Sequence, residues 1–310
     1  MKKFKLLFFI VCLPCFVYSQ EWKQYSDSIS KITSVKHDKK DLEKANTFIE
    51  LADKDIEKNG CNKDTIFAHY LYLKGFIKYK IGQFTSQPFE ESISIWDKSP
   101  KKNYLKLSKV HYFLADGYNV SKDYSNAYLN YEKCYLINKQ FKLKNNIYFS
   151  NSVYCLSVID YRENFNFKKA EQYAIEYIEL NKETAYLNFD FNYAYAFRWK
   201  EDSKGYENVL LDFNSNYENK NINNPDLYFQ INYLLFDYYR KQIFYYKQNK
   251  NDELIKYGEK AIEIQNKLNK KNDDILQEIY LELALSYNEK KDEVNKKKYN
   301  DFLKKRIFNE

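Results

Sequence analysis

The sequence predicts an all-α protein, an α-solenoid of about seven antiparallel helix hairpins. Small and aromatic residues alternate at offsets of three and four, which aligns them on one helix face. The pattern recurs along the chain. The small residue of the expected second helices stands at Ala45, Ala127, Ala170 and Leu254, with Lys296 in register at the end; the intervals are 82, 43, 84 and 42 residues. These are two, one, two and one periods of about 42, as in stacked supersecondary units that cannot bury their apolar faces alone. Only six Gly and four Pro interrupt 310 residues, which suits long helices and supplies few of the tight turns that a strand-rich chain needs.

The chain opens with a segment expected to be removed. Lys2, Lys3 and Lys5 form a basic start, residues 6–17 are an almost unbroken apolar run, and Val17-Tyr18-Ser19 ends on a small residue, as a cleavage site does. An apolar core of about twelve residues is too short to span a bilayer as a helix. Residues 1–19 therefore read as a secretory signal peptide and 20–310 as the solenoid, exported to the periplasm or the medium and without an integral membrane segment once the leader is gone. A lipid anchor at Cys12 or Cys15 would need Leu and a Gly or Ala nearby, where this chain has Phe9 and Cys12, and Val11 and Pro14.

The hairpins follow in order. Leu42, Ala45, Ile49 and Ala52 form the second-helix half of the first. LYLKGFIKYKIGQF, with Gly75 and Gly82, opens the next, but its partner TSQPFEESISIW is about two residues off register, with Pro88 expected in the helix's first turn, where a missing N–H costs little. The clearest copy runs from His111 to Asn138 through Ala115, Tyr118, Tyr124, Ala127, Tyr131 and Cys134, and a second repeats it with Val158, Tyr161, Phe167, Ala170, Ala174 and Tyr177. Ala194 is the candidate small residue of the fifth first helix; the spacing after it is off by about six, which a longer helix over 226–247 can absorb. Tyr245, Leu254, Gly258 and Ala261 carry the sixth hairpin, and Ala284 with Tyr287 begins the last. Gly60, Pro100, Pro225 and the polar clusters at 144–146, 219–224 and 269–274 are read as connections. FNYAYAF, residues 191–197, alternates like a strand in places but fits the first-helix pattern and is read as helix.

This order of small and aromatic residues on paired helices resembles the tetratricopeptide repeat, in its long form of about 42 residues. The resemblance implies a right-handed superhelix whose first helices line a concave groove that binds an extended peptide or a partner's helix. Carried onto this chain, the groove would present His69, Tyr72, Phe76 and Tyr79 from the second hairpin, and Lys109, Tyr112, Asp116 and Asn119 from the third. Ser152, Ile159 and Arg162 would follow from the fourth, and Arg198 if Ala194 is in register. For Tyr72, Tyr79 and Tyr112 the alternative is packing between adjacent hairpins.

Compact catalytic signals do not occur: the sequence has no P-loop, GxGxxG, GxSxG or HExxH, and no CxxC beyond the leader. His37, His69 and His111 lack ligand spacing, so neither a metal nor a cofactor is expected. The acid pairs Glu90-Glu91 and Asp273-Asp274 read as cap or solvent residues. The formal net charge of +7 includes three leader lysines, and much of the remainder sits between Lys290 and Glu310, where eight basic residues face four acidic ones. A nucleic-acid binder shows a broader basic stripe, so this segment reads as a solvated last helix. Of the five cysteines, Cys61, Cys134 and Cys155 remain after the leader; Cys134 and Cys155 can pair, or can simply pack as small apolar residues.

The expected function is a non-enzymatic exported scaffold that binds a protein or peptide partner through its groove. Two further readings stay open: a sensory or regulatory ectodomain acting through a separate signalling partner, and a glycan-binding or hydrolytic envelope protein. The latter is weakened by the presence of only Trp22, Trp96 and Trp199 to serve as sugar platforms.

Overall fold

The computed structural model describes residues 21–307 apart from 36, 144–145, 186–189, 221 and 269–271. The expected leader and its cleavage site lie outside the described residues. No strand occurs among the described residues. Fourteen helices are described: α1 (Glu21–Thr33), α2 (Lys39–Asn59), α3 (Thr65–Lys80), α4 (Gln87–Lys98), α5 (Tyr104–Val120), α6 (Tyr124–Phe141), α7 (Ile147–Arg162), α8 (Phe167–Asn181), α9 (Phe191–Trp199), α10 (Ser203–Asn219), α11 (Pro225–Tyr246), α12 (Asn251–Lys267), α13 (Asp273–Glu289) and α14 (Glu293–Ile307). In sequence order they form seven hairpins, as the period requires, and FNYAYAF lies in helix α9. No helix among the described residues is long and apolar enough to cross a membrane.

Asp and Asn start these helices. Asp38, Asp64, Asn103, Asp123, Asn146 and Asn224 each accept a hydrogen bond from a backbone N–H of the first turn, which satisfies donors that the helix itself cannot. The polar clusters read as connections are therefore also the caps. Pro88 and Pro225 both stand in a first turn.

Within the hairpins the turn has a repeated backbone device. Gly82, Lys122, Phe165, Glu201, Lys247 and Lys291 all have φ between +51° and +78°, one in each of the second to seventh hairpins. Around them the chain closes with long-loop bonds such as Gln83 N to Lys78 O, Asp123 N to Tyr118 O, Asp202 N to Phe197 O and Asp292 N to Tyr287 O, at 2.7–2.9 Å. This left-handed residue reverses the chain after the first helix. Only one of the six is Gly, so composition hides the repeat.

The described residues divide into two compact units, one ending at Tyr173 and the other starting at Ala174, within α8. In the first unit α1, α3, α5 and α7 lie side by side, each first helix touching the next, with α2, α4 and α6 packed against them. Trp22, Tyr70, Phe89 and Tyr131 are fully buried there, each worth about 1.5–3 kcal/mol of apolar burial. Small residues let the backbones approach closely enough for hydroxyls to reach across. Ser92 Oγ donates to Ala68 O at 2.7 Å, and Ser157 Oγ to Ala170 O at 2.9 Å. Ser157, rather than the expected Val158, is the buried small residue of α7; the α7–α8 connection is one residue longer than that between α5 and α6.

The second unit packs α9 to α14 around Phe213, Leu235, Phe236 and Leu276. Its register shift is explained by length: α9 has only 9 residues and α11 has 22. The small position at Gly258 receives the Phe236 ring, 3.0 Å from where a Cβ would stand. Ala45, Ala127, Ala170 and Leu254 are buried, whereas Lys296, the last residue in register, is half-exposed and pairs with Glu293 at 3.2 Å. The terminal helix thus turns a charged residue to the position that elsewhere is packed.

Candidate functional site

In the first unit the expected groove residues fall on three neighbouring first helices, and an aromatic floor holds them together. Tyr72 and Phe76 on α3 pack against Phe113 on α5, with ring centroids 6.2 and 4.9 Å away, and Phe113 meets Tyr148 on α7 at 5.5 Å. Tyr72 and Phe76 are buried, 5% and 7% exposed; they build the floor rather than stand above it. Ser152 and Ile159 are likewise interior, Ser152 donating to Tyr148 O at 2.7 Å.

Polar groups stand over this floor. The His69 ring stacks on Tyr72 at 6.0 Å, and Lys109 Nζ lies 5.2 Å from the Tyr72 centroid and 5.5 Å from that of Tyr148. These are cation–π distances, and two rings share one ammonium. His69 Nδ1 is fully buried without a hydrogen-bond partner. Burial, then Lys106 and Lys109, pushes the His69 imidazole down to about 4, so it is neutral at neutral pH. Burial and the charge of Lys106 hold Lys109 below the usual lysine range.

Farther along the same helices, Asp116 accepts hydrogen bonds from Tyr79 Oη at 2.5 Å and Tyr131 Oη at 3.2 Å. Burial and this bond push the Tyr79 phenol up. Tyr112 packs between Tyr131 and Tyr148, with centroids 5.9 and 5.4 Å away. Asn119 continues this face, half-exposed, and Arg162 is exposed at the end of α7. Arg198 belongs to the second unit, where its guanidinium lies 5.5–5.9 Å from the rings of Tyr195, Trp199 and Tyr206.

Two residues near this helix face escape the sequence pattern. Tyr148 and Lys106 lie in first turns, ahead of the small and aromatic signature; helix packing brings Tyr148 to Phe113 and Lys109, while Lys106 Nζ lies 5.8 Å from the Trp96 ring and its charge acts on His69. Of the other candidates, Cys134 and Cys155 are free thiols. Cys134 Sγ contacts Ser108 Oγ at 3.2 Å, and burial pushes the Cys155 thiol up to about 12, the behaviour of packed rather than reactive groups. His111 is buried and its Nδ1 meets Asn130 Oδ1 at 2.9 Å. No group of three His, Cys, Asp or Glu among the described residues is placed to hold a metal ion. A cavity of about 760 Å³ between the start of α3 and the end of α4, lined by Lys63, Asp64, Ile95 and Lys98, lies apart from the groove residues.

No family model matches the chain, and no curated protein matches it. Solved structures do. The nearly identical TPR-like repeats described for a Podosopora anserina kinesin light chain align over 66% of this chain and 96% of theirs, with 14% identity and a TM-score of 0.50. The apo form of RapI aligns over 93% and 96%, with 12% identity and a TM-score of 0.49. A Rap protein complexed with competence and sporulation factor aligns over 94% and 96%, with 12% identity and a TM-score of 0.41. At these identities the likeness is one of fold, and the fold is the tetratricopeptide-like stack of helix hairpins.

Proposed function

We propose that the protein is an exported, non-enzymatic scaffold that binds a protein or peptide partner along the first helices of its first unit. The observation that carries this reading is the shared face of α3, α5 and α7. Half-exposed His69, Lys109, Tyr112, Asp116 and Asn119 stand there over a packed floor of Tyr72, Phe76 and Phe113. Such a surface offers side-chain donors, acceptors and aromatic edges whose positions are set by helix packing, so little ordering entropy is lost on binding. The helix layer supports an elongated ligand better than an enclosed small molecule, because its groups are spread along three helices rather than converging on one reacting atom. Export rests on the basic, apolar and small-residue order of residues 1–19. The shift of His69 serves this reading as well: a neutral ring can bond a partner without carrying charge.

Crosslinking in living cells tests it. A photoreactive residue at half-exposed Asn119 is expected to capture one dominant partner from the envelope or medium, as identified by mass spectrometry. The same residue at exposed Lys133, on the second helix of that hairpin, is expected to capture none. Equal labelling from both positions, or none from either, refutes a groove-bound partner.

A further inference from the structure

In the second unit one helix end stands clear of the packing. The last buried residue of the 22-residue α11 is Gln242, and the first buried residue of α12 is Leu254. The final turn of α11 therefore overshoots the core, and it carries three consecutive aromatic residues. Phe244, Tyr245 and Tyr246 are 64–68% exposed; Tyr245, expected as a packed aromatic of the sixth hairpin, is carried into solvent by the length of α11. Phe244 and Tyr245 meet edge to face with centroids 4.9 Å apart. The tip of the seventh hairpin lies beside this one, because Asn251 Nδ2 donates to Glu289 at 2.8 Å and Lys290 pairs with Asp252. There α14 opens with exposed Val294, and exposed Lys297 and Lys298 follow on the same helix face.

The acids of the two tips are all engaged. Asp252 pairs with Lys290, Glu253 with Lys250 and Glu293 with Lys296, while Glu289 accepts from Asn251 and Asp292 from the backbone and side chain of Asn295. Lys247, Lys291, Lys297 and Lys298 are exposed and bond to no carboxylate of the described residues. Lys247 Nζ lies 5.4 Å from the Phe244 centroid, so a positive charge borders the aromatic cluster directly.

We infer that this edge docks on an anionic lipid surface: the Phe244, Tyr245 and Tyr246 rings enter the headgroup layer, and Lys247, Lys291, Lys297 and Lys298 meet lipid phosphates. The inference is independent of the proposed function, which concerns the first unit. Tyrosine settles at a membrane boundary because its ring leaves water while its hydroxyl keeps hydrogen bonds. Three adjacent rings at a projecting helix end form a wedge. A bilayer surface admits a wedge without a preformed pocket, whereas a folded partner would have to supply one. The lysines without acids decide the sign of that surface. They also oppose pairing with a second copy, which would bring two sets of unpaired ammonium groups around one apolar contact. No helix among the described residues is long and apolar enough to cross a membrane, so this docking is peripheral.

The test uses residues 20–310, which keep all fourteen helices without the apolar leader, and vesicles of equal parts phosphatidylcholine and phosphatidylglycerol. Co-sedimentation with these is expected to be about tenfold stronger than with phosphatidylcholine alone, and to weaken as salt is raised. Replacing all three rings, Phe244→Ser with Tyr245→Ser and Tyr246→Ser, alters only exposed positions and is expected to weaken binding about tenfold. Lys247→Gln with Lys291→Gln is expected to do the same, and Lys133→Gln, in the first unit, to change nothing. Tyr245→Trp supplies a second readout should the triple variant not fold. Trp22, Trp96 and Trp199 are buried, so a shift of the emission to shorter wavelength on anionic vesicles, absent from the parent protein, reports entry of this edge into lipid. No binding to anionic vesicles, equal binding by the parent and a folded triple variant, or Tyr245→Trp emission that vesicles leave unmoved overturns the inference. So does a dimer in the parent that the triple variant abolishes, which would assign the patch to a second copy.

Discussion

At the scale of single residues, the electrostatics of the α3, α5 and α7 face come from burial more than from ion pairs. His69 shows this most clearly, because Nδ1 is enclosed and two lysines lie near the ring. In the unfolded chain a histidine takes up a proton below about 6.5; the folded one does so only below about 4. The unfolded state therefore binds more protons in that window, and stability falls as pH drops from about 6.5 to about 4, with no further contribution below. Burial moves His111 in the same direction. Denaturant midpoints measured across this range are expected to fall with acid, and to fall less in His69→Gln, which has no ring to charge. An unchanged slope in that variant would show that His69 titrates normally. None of this is visible in the sequence, where His69 is one histidine among three; its neighbours come from residues 3 to 40 positions away.

At the scale of elements, the hairpin is defined by two features that differ in how openly the chain displays them. The packed small residues are plain to see, because Ala45, Ala127 and Ala170 must be small wherever a partner helix comes close. The reversal is not. Lys122, Phe165, Glu201, Lys247 and Lys291 adopt the left-handed region that Gly enters without strain, so the energetic cost of the turn is carried by residues that look ordinary. Lys122→Gly is expected to stabilise the protein by about 0.5–1 kcal/mol, since it relieves the side chain without touching a packed group. Lys133→Gly, within α6 and exposed, is expected to cost about 0.7–1 kcal/mol. Chemical denaturation of both variants checks the pair; destabilisation by the first would mean that the Lys122 side chain, not its backbone, holds the turn.

At the scale of the whole molecule, a repeat chain gains stability from nearest neighbours, so damage stays local. Phe89 is fully buried in the first unit, its ring 2.8 Å from where a Cβ on Gly75 would stand. Phe89→Ala is expected to cost about 3–5 kcal/mol and to raise hydrogen exchange in α3 to α5 well before α11 to α14. Uniform loss of protection along the chain would show one cooperative body instead. By itself the sequence determined the helical class and the number of hairpins, because helical offsets and a 42-residue period express local packing rules that every unit must obey; the candidate groove face is what the family resemblance implies. The sequence also showed where the register breaks, though not that a 9-residue α9 and a 22-residue α11 cause the break. Only the tertiary structure decided which tyrosines became floor and which remained reachable. Those outcomes depend on how three helices meet side by side, and the depth of a side chain between neighbours is a property of the stack rather than of any one segment.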